Sequence, residues 1–138
     1  MKFIISVLLL MSLVISHACF ADISIVINTA NGSIVSEKEI SRLFLGKLKK
    51  FSGGESATPV NSKAGSAVRA DFEQKVLNKS TSQIKAYWSK RVFSGKGKPP
   101  KEVDNDAAVI AFVAANTGAI GYVNSASVDE TVKVVKAF

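Results

Sequence analysis

Pro59–Leu77 reads PVNSKAGSAVRADFEQKVL. Pro59-Val60-Asn61 predicts a short strand, with Pro59 at its beginning or on an edge because proline has no N–H for a ladder. Ser62, Lys63 and Gly65 make a brief loop, and a helix starts at about Ser66, with Val68, Phe72 and Val76 recurring along one side. Such a unit sets the unpaired first amides of a helix, and the positive end of its dipole, just past the end of a strand. An oxyanion seated there accepts hydrogen bonds from those amides. Gly65 lets a ligand approach the backbone, Ser62 and Ser66 offer hydroxyls, and Lys63 and Arg69 offer charge. The same residues allow a plainer reading, in which Ser66 only caps its own helix.

Working outward toward the N-terminus, Ile23–Asn28 is a β-branched run ended by Asn-Thr-Ala-Asn-Gly, the pattern of a buried first strand. Ser36 and Glu39 have capping-box spacing, Ile40, Leu43 and Phe44 share a face, and Gly46 is placed to stop that helix. A glycine- and serine-bearing loop, 51–58, leads to the central unit. Toward the C-terminus, Ser80 and Gln83 repeat the capping-box spacing ahead of a stripe of Ile84, Tyr87, Trp88, Arg91 and Val92. A loop at 93–100 follows. Asp104–Asp106 then open a helix whose Val109, Phe112 and Val113 face inward. Ala119–Val123 and Val132–Phe138 read as closing strands. The order β-α-β-α-α-α-β-β gives an α/β domain, a small mixed sheet flanked by helices.

The first 21 residues stand apart. Lys2, the apolar run Phe3–Ile15 and small residues in Ala18-Cys19-Phe20-Ala21 have the layout of a secretory signal peptide cut before Asp22. The run is too short for a spanning helix, so no membrane span is expected after cleavage. The domain is then 22–138, and the chain's one His, one Cys and both Met leave with the leader. That excludes a disulfide, a thiolate or imidazole zinc site, and a Cys–His or Ser–His nucleophile. No spacing singles out a carboxylate pair, so no enzyme and no cofactor are expected. The net charge of +7, lowered by one on loss of Lys2, favours anionic partners.

Phe93-Ser94-Gly95-Lys96-Gly97-Lys98 could form an anion nest or a solvated turn; its spacing is not that of a P-loop. Tyr87 and Trp88 could stack on a ligand, or fill the core.

Four segments in order carry a resemblance: Ile40–Lys47 (ISRLFLGK), Pro59–Leu77, the Tyr87-Trp88 to Gly97 stretch, and Gly118–Val123 (GAIGYV). Together they resemble the periplasmic phosphate-binding proteins of ABC transporters, over most of residues 22–138. The resemblance implies a single lobe of the type II periplasmic-binding-protein fold, binding phosphate at the helix after Asn61. The family's lobe carries an arginine followed by Gly-Ser-Gly-Thr. Gly65 and Ser66 match the first two of that run, Ala67 replaces the second glycine, and Val68 replaces the threonine. Ser62 stands where the arginine would be, with Arg69 one turn on. Full binding proteins close two lobes on the ligand, so a second lobe, a second copy of this chain or a transporter membrane component is the partner implied.

The expected function is an exported, periplasmic phosphate- or oxyanion-binding protein with an anion site at Ser62, Gly65, Ser66, Ala67 and Arg69. One alternative is an interaction module of the cell envelope that has lost the ligand. Another is a general polyanion binder using Lys47–Lys50 and Lys96–Lys101, with no specific nucleic-acid target.

Overall fold

Ile23–Asn28 forms β1, and all six of its residues are buried. Strands with side chains inside on both faces must be covered on both faces, and the computed structural model, which describes residues 22–138, has this arrangement. Residues 1–21, where a signal peptide is expected, lie outside the described residues. The elements that follow are α1 (Glu37–Phe44), β2 (Thr58–Ser62), α2 (Ala67–Lys75), α3 (Thr81–Phe93), β3 (Lys101–Val103), α4 (Asp106–Ala115), β4 (Ala119–Asn124) and β5 (Val132–Ala137). The sheet order is β3-β2-β4-β1-β5. β2 runs parallel to β3 and β4, whereas β1 is antiparallel to β4 and β5.

The period of two along each strand sorts the core into two layers. Ile23, Ile25 and Ile27 of β1 join Ile120 and Tyr122 of β4 against α1, α2 and α3. Val26, Ala119 and Val123 face α4 through Val109, Ile110 and Val113. Connections from β1 through β3 move steadily toward one edge, and the β3–α4–β4 connection returns. That reversal carries α4 to the opposite face.

Both capping boxes form: Ser36 with Glu39, and Ser80 with Gln83. Gly46, at φ +70°, ends α1 in the left-handed conformation. Three expectations change. Val92 is 53% exposed and leaves the α3 stripe to Ile84 and Trp88. α4 opens within the expected Asp104–Asp106 stretch, with Asn105 as its cap, but Ile110 is buried where Phe112 is half-buried. Between the loop expected at 93–100 and α4 lies β3, a three-residue edge strand that was not foreseen.

Candidate functional site

β2 lies between two parallel neighbours, and its carboxyl end delivers Ser62 to the turn before α2. Crevices at such strand ends are where open α/β sheets bind ligands. The strand end is anchored from below by Tyr122, which is fully buried and stacked on Phe72 of α2 at 3.8 Å between centroids. Phe44 of α1 meets both rings edge-on. The Tyr122 hydroxyl donates to Asn61 Oδ1 at 2.7 Å and accepts the Ser62 amide at 3.1 Å. Burial pushes its ionisation well above the usual tyrosine range, so it remains neutral and can do both.

Ser62 itself is 1% exposed. Its Oγ is buried with no hydrogen-bond partner among the described residues. A hydroxyl stripped of water and left unbonded carries a desolvation cost that a ligand oxygen would relieve. Beyond it the turn closes with Ser66 N–H donating to Lys63 O at 3.1 Å. Gly65 sits at φ +85°, and a Cβ there would meet nothing within 4 Å. The glycine is therefore needed for its dihedral, and the space above it is open.

Ser66 is the N-cap of α2, its Oγ accepting the Arg69 amide at 3.4 Å. That is a long bond, and the hydroxyl proton remains available to donate. Among the described residues, no acceptor meets the amides of Ala67 and Val68. The start of α2 thus carries an N-cap hydroxyl and two unpaired amides after an open glycine, and the Ser62 hydroxyl is buried at the strand end that leads into it.

Arg69 is placed differently. Its Nη1 donates to Ser62 O at 3.2 Å and to the Glu102 carboxylate, and its Nε donates to Glu73 Oε2 at 3.5 Å. Glu73 is buried and also accepts Thr81 Oγ1 at 3.0 Å. Two carboxylates thus share one guanidinium, so an anion at the α2 start must compete for Arg69. From here a cleft of about 890 Å³ runs past Glu73 and Trp88 to Phe93 and Pro99. Glu73, Thr81, Glu102 and Tyr122 were not among the expected site residues. The four-residue spacing of Arg69 and Glu73 was a visible signal for the first; the others are brought in by tertiary contacts.

Tyr87 and Trp88 belong to the packing: Trp88 is buried, and the Tyr87 hydroxyl donates to Leu45 O at 2.6 Å. The 93–98 segment is the turn after α3, with Gly95 at φ +70°. Among the described residues, no group of three or more His, Cys, Asp or Glu is placed to hold a metal, and no helix is long and apolar enough to cross a membrane.

No protein-family model matches the chain, and no curated protein matches it. Solved structures do. One is an ABC-type phosphate transport receptor from Vibrio cholerae, 20% identical, with a TM-score of 0.65 over 84% of this chain and 46% of that one. Another is a putative phosphate ABC transporter substrate-binding protein with bound phosphate from Clostridium perfringens. It is 20% identical, with a TM-score of 0.64 over 84% of this chain and 45% of that one. A third is PstS from Borrelia burgdorferi, 11% identical, with a TM-score of 0.62 over 84% and 47% of the two chains. The chain shares their fold. It is the fold of a periplasmic-binding-protein lobe, as the sequence resemblance implies, and the chain spans less than half the length of each of the three.

Proposed function

We propose that residues 22–138, exported by cleavage of the leader, act in the periplasm as a lobe that binds phosphate or a similar oxyanion without catalysing a reaction. The anion sits at the start of α2. The amides of Ala67 and Val68 and the hydroxyls of Ser62 and Ser66 donate to it, Gly65 allows the close approach, and Arg69 contributes as Glu102 yields. The observation that carries this is the set of unpaired amides that opens α2, reached from a strand end whose Ser62 Oγ is buried with no hydrogen bond satisfying it. Solved structures of the same fold described as phosphate receptors support the choice of ligand. A second lobe, a second copy of the chain or the membrane component of a transporter would complete the enclosure.

Titrating phosphate while following amide resonances tests the placement. Saturable shifts should centre on Gly65, Ser66, Ala67 and Val68, with sulfate and chloride as controls at fixed ionic strength. Shifts scattered over surface lysines, or none at all, would remove the site.

A second reading has its own support. Glu73 and Glu102 compensate Arg69, and the cleft ends at Phe93, which is 95% exposed. Those features suit a lobe that docks a protein partner and has given up the ligand. Absence of phosphate shifts, together with a stoichiometric partner recovered by cross-linking in the native envelope, would decide for it.

A further inference from the structure

Two basic stretches far apart in the sequence, 47–50 and 96–101, meet across a groove of about 700 Å³ between the end of α1, the start of β2 and the α3–β3 loop. The groove excludes the α2 start, although it shares Trp88, Pro99 and Pro100 with the cleft that leads from there. Leu43, Pro59 and Trp88 give it an apolar floor, and no Asp or Glu lines it. Lys101 is one of its cations by position only, because its Nζ lies 4.9 Å over the Phe112 ring, on the α4 side of the sheet. Lys49, Arg91, Lys96 and Lys98 remain.

Arg91 distinguishes this groove from an ordinary solvated surface. Its guanidinium stands 5.4 Å from the Tyr87 ring centre and 5.8 Å from that of Trp88, and Nη2 donates to Lys96 O at 3.3 Å. Its Nε is buried and unbonded, and no carboxylate pairs with it among the described residues. Glycines border it on two sides. A Cβ at position 97 would lie 3.6 Å from Nη2, and one at position 46 would lie 3.8 Å from it. A guanidinium cannot shed its charge, so this one is held in place, partly desolvated, with a donor unused. The contrast with Arg69, which two carboxylates share, is electrostatic.

We infer that this groove binds a polyvalent oxyanion of the pyrophosphate type. A single charge would satisfy Arg91 alone, whereas Lys49, Lys96 and Lys98 reach the same groove from separate segments and call for further negative charge. Planar guanidinium donors match phosphate oxygens in pairs, and the apolar floor strengthens each contact by excluding water. The inference is independent of phosphate binding at α2.

Pyrophosphate titration by calorimetry at fixed ionic strength tests it, on the wild type, K96Q/K98Q and Ser62→Ala, with melting temperatures confirming that each is folded. The exposed lysines can be changed without touching the core. The wild type should bind saturably and the double lysine variant about tenfold more weakly, as expected for two partly exposed charges, while Ser62→Ala, which alters only binding at α2, should keep the lysine-dependent part of the heat. Arg91→Lys, which keeps the charge but loses the fork, should also weaken binding. Wild-type affinity in K96Q/K98Q, loss of pyrophosphate binding in Ser62→Ala, or no saturable heat with any of the proteins would each overturn the assignment.

Discussion

Ser62 and Arg69 do opposite things at neighbouring positions. Ser62 buries a hydroxyl that meets no well-formed hydrogen bond and interacts only loosely with the Tyr122 hydroxyl, so Ser62→Ala removes a desolvated group at little cost in contacts. Its melting temperature should equal or exceed that of the wild type, while phosphate affinity falls about tenfold, as for loss of one hydrogen bond to a charged group. Thermal melts and titrations of the same preparation check both halves. Arg69 is held by Glu73 inside and by Glu102, about half exposed, outside. Glu102→Gln should therefore cost little stability. It should tighten phosphate about fivefold, since a like charge near 4 Å in water-like surroundings opposes the ligand by roughly 1 kcal/mol. Unchanged affinity in that variant would mean the anion never approaches Arg69. Tyr122 supplies a pH dependence. Its folded-state ionisation lies above the ordinary value of 10.0, so its proton is bound more tightly in the fold than in the unfolded chain. The stability this gives is complete below that ordinary value and is lost as pH rises from it toward the folded value. Denaturant midpoints should fall in strong alkali, and Tyr122 absorbance should change only as the fold opens. Ionisation of Tyr122 before unfolding would contradict this.

At the scale of elements, close approach governs how α4 meets the sheet. A Cβ on Gly121 of β4 would come 2.6 Å from Val109 Cγ1 and 3.4 Å from Val113 Cγ2. Gly121→Ala should destabilise the fold by about 1–3 kcal/mol, the usual cost of overpacking a tight core, measured as a shift in denaturant midpoint at constant slope. Local signals made most elements legible in the sequence. The two capping boxes, Gly46 and the β-branched Ile23–Asn28 run each carry their instruction within a few residues, and each forms as expected. β3 was not legible because Lys101-Glu102-Val103 has neither length nor alternation, and only its pairing with Val60, Asn61 and Ser62 makes it a strand. The site divides in the same way. The turn, the cap and the glycine could be read in Pro59–Leu77, but the Glu102 partner of Arg69 lies 33 residues away and arrives on that unforeseen strand.

For the whole molecule, the sheet presents the α2 start at the end of β2, and the chain spans under half of the phosphate receptors whose fold it shares. A ligand gripped from one side keeps much of its hydration, so an isolated lobe should bind weakly unless a second surface closes over it. Calorimetric titration of the purified protein with phosphate, against sulfate and chloride at fixed ionic strength, is the most direct test of the central claim. Saturable, phosphate-selective binding that is weakened by Ser62→Ala and tightened by Glu102→Gln is the predicted result. No heat at millimolar phosphate, or heat indifferent to Ser62, would contradict an anion site at the start of α2.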